Sequence, residues 1–346
     1  MGENGWQADR SRVVEEILAA QRFILVSHEN PDGDALGSLV AMQEILTALG
    51  KESAMFIAGD ELPLPYEYRF FSLGGLVSRL PDDVGDRTMI FLDCGNIDRN
   101  PAHELKRPGP HILNVDHHHD NTRFGSVNWV TPEASCTAEM VWDLMGELGV
   151  APSLTIAEAL YVGLVTDTGK FMYENTGTRA HVMAAELIGA GVDVHGIYRR
   201  LYEGIPYGKL ELLARGLTHV ERHDGGALTM SRLSARDFGE TGAEENYSEG
   251  VIDHLRSVEG TAVAALVRDR LGPGQEGARK VSLRSSDDRV DVSVIARAQG
   301  GGGHRQAAGF STRLPWPELV DFLRAAVRDQ LSGLVPGHAT PSPTAS

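Results

Sequence analysis

The chain is 346 residues long, 42% hydrophobic and 23% charged, with 48 acidic side chains against 32 basic ones and a formal net charge of −16. That length suffices for two domains, each burying its own core. The acidic balance argues against a sequence-independent grip on long DNA or RNA, which needs a basic surface, but leaves room for a short nucleotide in a cleft, because bound metal ions reverse the local field.

Two cysteines, Cys94 and Cys136, make no disulfide framework and suit a reducing cytoplasm. No apolar run reaches the roughly 18 residues that a membrane span needs. The segment Met1-Gly2-Glu3-Asn4-Gly5-Trp6 lacks the basic and apolar regions of a signal peptide. A soluble, cytoplasmic protein is the expectation.

In chain order, Arg12 to Ala20 predicts an amphipathic helix and Phe23-Ile24-Leu25-Val26-Ser27 a buried strand. Ala35 to Leu49 predicts a helix, with Leu36, Leu39, Val40, Ile45 and Leu46 as its apolar stripe and Gly50 as its stop. Met89 to Leu92 and Ile112 to Val115 read as further strands, Ala134 to Leu148 and Ile156 to Val165 as helices. This alternation implies a mainly parallel sheet flanked by helices.

The pattern loosens around Gly189-Ala190-Gly191, and a connecting helical stretch is expected from Val194 to about Gly216. A smaller α/β domain follows, with strands at Ala227 to Met230, Thr261 to Val267 and Lys280 to Arg284. Val290-Asp291-Val292 begins the next segment, and a closing helix runs from Pro317 to Leu331. The expected division is a first domain over 10–192, a helical linker over 193–217, a second domain over 218–333 and a disordered Pro/Ser/Thr/Ala-rich tail over 334–346. No internal repeat or heptad pattern occurs.

Chemistry concentrates at four stations: His28-Glu29-Asn30-Pro31-Asp32-Gly33-Asp34, Asp93, Asp116-His117-His118 and Asp167. Most follow an apolar run, and open α/β sheets build their sites at the carboxyl ends of strands. Each residue has an ordinary use: Asp34 as a helix N-cap, Asp32 in a Pro-Asp-Gly turn, Asp93 as a strand-end acid. Together they ask for more, since consecutive histidines after a buried strand are costly without partners. Carboxylates mixed with imidazole and no thiolate suit Mn²⁺ or Mg²⁺. The pattern reads as a two-metal phosphoesterase.

In the second half, Gly300-Gly301-Gly302-Gly303-His304-Arg305 follows an apolar run and precedes Ala307-Ala308-Gly309. Four glycines alone would suit a linker, but these flanks require close backbone approach. Successive glycine N–H groups can form an anion-binding nest, and Arg284 can offer a bidentate guanidinium to phosphate.

The ordered stations resemble the DHH phosphoesterase superfamily, and the GGGH…AAG segment resembles the associated DHHA1 domain. The resemblance spans roughly Val13 to Leu331 and is nearest to the NrnA-like oligoribonuclease and pAp phosphatase branch, some of whose members act on cyclic di-nucleotides. It implies one metal on His28, Asp32 and Asp93 and a second on Asp34, Asp93, His117 and Asp167. Asp93 bridges, Asp116 orients the imidazoles, and His118 faces the substrate phosphate or leaving group, so Asp93, Asp116 and His118 carry the catalysis. Gly301, Gly302, Gly303, His304 and Arg284 would contact substrate in a cleft between the domains.

The implied cofactor is two Mn²⁺ per site, with Mg²⁺ as the alternative. The implied partners are a small nucleotide or short RNA, not long duplex and not membrane, with homodimerisation left open. The implied reaction is hydrolysis of a phosphoester in short oligoribonucleotides or dinucleotides, 3′-phosphoadenosine 5′-phosphate (pAp), or linear or cyclic di-AMP by a hydroxide that the metals activate. Rivals are an inorganic pyrophosphatase, against which the GGGH segment argues, and a non-catalytic nucleotide sensor, which would be free to lose ligands that are all present here. A processive exonuclease would need a basic channel, and a membrane-bound phosphodiesterase would need spans.

Overall fold

A computed structural model describes residues 3–59, 62–100, 102, 105, 111–272, 274–303 and 305–333. The tail over 334–346 and His304 lie outside the described residues. The chain divides into two compact units between Gly204 and Ile205.

The first unit opens with helix α1 (Glu3–Ala19) and strand β1 (Arg22–Val26), followed by α2 (Gly33–Ala48), β2 (Glu52–Phe56), β3 (Leu76–Val77), β4 (Thr88–Leu92), β5 (Ile112–Asp116) and β6 (Val127–Val130). All six strands are parallel, in the order β3-β2-β1-β4-β5-β6. Burial on both faces explains the unbroken apolar runs. Phe23 and Leu25 of β1 join Ile90 and Leu92 of β4 in one core, while Ile24 and Val26 join Met89 and Phe91 in the core on the other face. The strand order reverses between β1 and β4, where a crevice opens at the carboxyl ends of such sheets.

Helices α3 (Thr137–Glu147), α4 (Leu154–Asp167), α5 (Thr178–Gly189) and α6 (Val194–Tyr202) complete the unit. Two glycines bring α2 against α4. A Cβ on Gly37 would run into the Ala159 carbonyl, and one on Gly163 would lie 2.6 Å from Ala138 Cβ and 2.9 Å from Asp34 Oδ1. The two helices are antiparallel, so the start of α2 meets the end of α4. That placement sets Asp34 beside Asp167.

The second unit begins with α7 (Tyr207–Thr218), so the stretch expected as one connecting helix is two. Gly204 in the left-handed region (φ 73°) and Pro206, which restricts Ile205 to extended backbone, break it. Strands β7 (Glu221–His223), β8 (Leu228–Leu233), β9 (Val263–Asp269), β10 (Arg279–Ser285), β11 (Gly302–Gly303) and β12 (Ala307–Thr312) form a sheet ordered β11-β12-β10-β9-β8-β7. Only β8 and β9 pair in parallel. Helices α8 (Ala235–Thr241) and α9 (Val251–Arg256) pack on one face with α7, while α10 (Val292–Arg297) and α11 (Trp316–Leu331) pack on the other. The Val290-Asp291-Val292 segment enters α10, with the Asp291 side chain capping it through Ser293 N. Among the described residues no helix is long and apolar enough to cross a membrane.

Candidate active site

The turn leaving β1 carries the first station. The Asp32 carboxylate, not Asp34, caps α2: its Oδ1 accepts from Asp34 N at 3.0 Å and Ala35 N at 3.1 Å. Asp34 therefore sits inside the first turn of α2, almost wholly buried, with another task. Its Oδ2 accepts from Thr137 N at 2.7 Å and its Oδ1 from Ala138 N at 2.8 Å, so it meets the amides that open α3. Helix N-terminal amides favour an anion there.

Asp93 follows β4 in the left-handed region (φ 58°), a conformation that Asp tolerates better than most residues and that recurs at functional sites. Its carboxylate is buried and central. Oδ1 lies 3.6 Å from His117 Nε2 and 3.6 Å from His118 Nδ1 and accepts from Thr137 Oγ1 at 3.1 Å; Oδ2 lies 3.4 Å from His28 Nε2. Asp116 ends β5 fully buried, with Oδ1 2.7 Å from His118 Nδ1 and Oδ2 accepting from Asn121 at 2.5 Å. Asp167 is the last residue of α4, with Oδ2 3.8 Å from His117 Nε2.

These side chains form three overlapping donor sets, each with its ligand atoms within 4.8 Å of one another: His28-Asp32-Asp93, Asp93-His117-His118 and Asp34-His117-Asp167. The donors are carboxylate oxygen and imidazole nitrogen alone, a composition suited to hard or borderline divalent cations. Burial pushes the Cys94 thiol up to about 12 and raises Cys136 well above the usual range, so neither offers a thiolate.

Electrostatics within the cluster are strongly unequal. Burial, then repulsion from Asp93, Asp167 and Asp32, raises Asp34 well above the ordinary carboxylate range. Burial with Asp93 and Asp32 nearby pushes Asp167 up to about 7, against the pull of His117. Burial also works against Asp93, but hydrogen bonding to His28 and attraction to His118 and His117 outweigh it, holding this carboxyl below its usual range. For His118, burial opposes protonation and is overcome by Asp116 and Asp93, which push it up to about 9. Asp34 and Asp167, crowded in this way, hold protons more readily than free carboxyls do.

In the second unit, Arg284 lies on β10 between Ala264 of β9 and Ala307 of β12, half-buried, and donates from Nη1 to the Leu283 carbonyl at 3.1 Å. The glycine run departs from the nest read in the sequence. Gly300 N donates to Arg297 O at 3.0 Å and Gly301 N to Ala296 O at 2.9 Å, which spends both amides on ending α10. Gly302 and Gly303 then form β11, paired with Gly309 and Ala308. A Cβ on Gly301 would collide with the Gly309 carbonyl, and one on Gly303 would lie 2.5 Å from the Ala307 carbonyl. Close strand packing accounts for Gly301 and Gly303, and a left-handed backbone (φ 74°) for Gly300.

Three residues of the site escaped sequence reasoning. Thr137 touches Asp93 through its hydroxyl and Asp34 through its amide. Asn175 donates from Nδ2 to Ser135 O at 2.8 Å and to Asp167 O and Oδ2, each at 3.1 Å. Arg99 bonds through its carbonyl to Glu29 N at 2.7 Å, and its charge opposes protonation of His28 and His118.

Residues 22–164 match the DHH family, N-terminal domain, and residues 227–333 match the DHHA1 domain. A relative from Thermus thermophilus, described as a bifunctional oligoribonuclease and PAP phosphatase NrnA, is 34% identical over 94% of this chain and 95% of its own length. The chain belongs to the DHH family. Another relative of this DHH protein, a cyclic-di-AMP phosphodiesterase GdpP from Geobacillus thermodenitrificans, is 26% identical over 93% of this chain and 50% of its own length. The crystal structure of an exopolyphosphatase-related protein from Bacteroides fragilis shares the fold, with a TM-score of 0.85, 22% identity and coverage of 94% of this chain and 97% of that one.

For this DHH protein the raised Asp167 predicts a pH signature. A carboxyl that titrates near 7 when folded but near 3.8 when unfolded holds its proton better in the fold. Its contribution to stability is complete below about pH 4 and is lost as pH rises through about 7. Metal-free protein should therefore lose thermal stability between about pH 4 and 7, Asp167→Asn should flatten that decline, and a divalent cation should reverse it by binding the ionised form. Thermal melts at four pH values check this; an Asp167→Asn variant that declines as steeply as the parent contradicts it.

Proposed function

We propose that this DHH protein is a two-metal phosphoesterase acting on small nucleotides: short oligoribonucleotides or dinucleotides, pAp, and linear or cyclic di-AMP. The observation that carries the reading is Asp93, whose single buried carboxylate belongs at once to two donor sets at the point where the strand order reverses. The donor set fits divalent cations, with Mn²⁺ favoured and Mg²⁺ the alternative. His28, Asp32 and Asp93 would hold one ion, and Asp34, Asp93, His117 and Asp167 the other. Bound there, divalent ions supply positive charge to the phosphoryl oxygens and a water of lowered pKa.

The chain's own residues do the rest. Asp116 fixes the ring of His118 through Nδ1 and keeps it protonated near neutral pH, so that Nε2 passes a proton to the leaving oxygen. Thr137 and Asn175 keep Asp93 and Asp167 in one orientation, as partners of metal-ligating carboxylates generally do. Arg284, Gly302, Gly303 and His304 contact a second phosphate or the sugar of the substrate. The relatives described as oligoribonuclease and PAP phosphatase and as cyclic-di-AMP phosphodiesterase support this substrate class. A panel of pAp, pApA, a 5-mer RNA, a cyclic di-nucleotide and pyrophosphate tests it. Turnover confined to the nucleotides is expected, and turnover confined to pyrophosphate overturns the reading.

Replacing Arg284 or His304 by alanine should weaken turnover of pAp and short RNA while leaving bound metal unchanged. Removing a charged phosphate contact costs about 2–4 kcal/mol of transition-state stabilisation. A chromogenic phosphodiester, which lacks the second phosphate, should suffer less. Equal losses in kcat/KM on both substrates would place these residues in the fold or the chemistry instead.

A further inference from the structure

The segment that follows Asp167 is strained, heavily anchored and yet presents apolar side chains to solvent. Gly169, Lys170 and Phe171 are three consecutive left-handed residues (φ 54°, 62° and 65°), two of them bearing side chains that disfavour this region. Anchors hold the chain to this path. Thr168 O accepts from Met172 N and Tyr173 N, both at 3.0 Å, and Thr168 Oγ1 accepts from Phe171 N at 3.2 Å. Phe171 stacks on His181 with ring centroids 5.1 Å apart, and Lys170 Nζ lies 4.0 Å from the centre of the Tyr202 ring. Asn175 closes the segment on the Asp167 carboxylate.

Phe171 is thereby half-buried, and the apolar side chains left outside, beside the exposed Lys170 and Glu174, are Met172, 82% exposed, and Tyr173, 58% exposed. The Tyr173 ring is held rather than loose. It rests on Gly169, where an added Cβ would lie 2.5 Å from the ring carbons. A ring seated on backbone, largely open to solvent and two residues from the asparagine that grips Asp167, is a preorganised aromatic surface at the edge of the donor cluster. Stability gains nothing from strain spent on exposing it, whereas a flat nucleobase gains a stacking partner without ordering a side chain first.

We propose that Tyr173 is a stacking platform for a nucleobase of the substrate, which sets a preference for base-bearing phosphoesters at this site. The proposal rests on the small-nucleotide reading above and adds the residue that recognises the base. Base–aromatic stacking tolerates all four bases, so the preference is for a nucleobase as such and not for one sequence.

The test compares kcat/KM of the Mn²⁺-loaded full chain on a ribodinucleotide and on the same molecule made abasic at its 5′ or its 3′ position. The parent protein should favour the intact dinucleotide over one of the two abasic forms by about tenfold to hundredfold, the scale of one stacked base. Tyr173→Ala should erase that ratio mainly through KM, and Tyr173→Phe and Tyr173→Trp should retain it. A ratio that survives in Tyr173→Ala overturns the platform, as does equal loss on intact and abasic substrates, which marks a structural role. Parent protein that cleaves all three substrates equally well overturns the platform and leaves the small-nucleotide reading standing. Parent protein that cleaves none removes both.

Discussion

Asp93→Ala should abolish turnover, lowering kcat by at least about 10³-fold, the scale of several kcal/mol of lost charge stabilisation. The carboxylate belongs to the His28-Asp32-Asp93 donor set and its Oδ1 lies 3.6 Å from His117 Nε2 of the Asp34-His117-Asp167 set, so its loss should disturb both proposed ion positions at once. The fold should survive. Asp93 repels Asp34 and Asp167 but attracts His28, His117 and His118, and its removal cancels effects of both signs. The Tm of EDTA-treated protein should move by no more than about 2–4 °C, or about 1 kcal/mol. A purified Asp93→Ala protein with near-parental rates in saturating Mn²⁺ would show that the site does not work through a shared carboxylate.

His117 and His118 are neighbours with ring centroids 4.8 Å apart, yet their replacement should give different phenotypes. His117 Nε2 faces Asp93 at 3.6 Å and Asp167 at 3.8 Å, in the middle of two donor sets. His117→Ala should therefore deplete bound metal. His118 spends Nδ1 on Asp116 at 2.7 Å, which favours the imidazolium that its proposed role as proton donor requires. His118→Ala should keep most of its metal and lose about 10²–10⁴-fold in kcat, the range of a general acid. Elemental analysis beside initial rates separates the two. Equal metal loss would make His118 a ligand and leave the leaving group without its proton donor.

Much of the first unit was legible because its chemistry is local in sequence. The β1 turn brings His28, Asp32 and Asp34 within seven residues, and Asp93 and Asp116 each sit at the end of a buried strand. What escaped is tertiary. Nothing in the sequence pairs Asp34 with the amides of Thr137 and Ala138, because that contact exists only once Gly37 and Gly163 let α2 and α4 approach. Asn175 and Thr137 are ordinary polar residues until folding sets them against Asp167 and Asp93. Strand β2, with polar Glu52-Ser53 at its start, and the short β6 lack the long apolar runs that marked β1 and β4.

The glycine run shows the opposite hazard, a motif whose residue type has two physical uses. Small side chains permit both a concave anion nest and tight strand packing. The sequence cannot tell that Gly300 and Gly301 spend their amides on ending α10. The break at Gly204 to Pro206 is a milder case, since helical periodicity continues on both sides and hides two separate helices.

The most direct test of the proposed two-metal reading, with Asp93 shared between the sites, is a titration of metal-stripped protein with Mn²⁺, following hydrolysis of pApA at each addition. Two ions per chain should bind, and activity should stay near background through the first equivalent and rise with the second. Full activity at one equivalent, or in excess EDTA, would contradict the account.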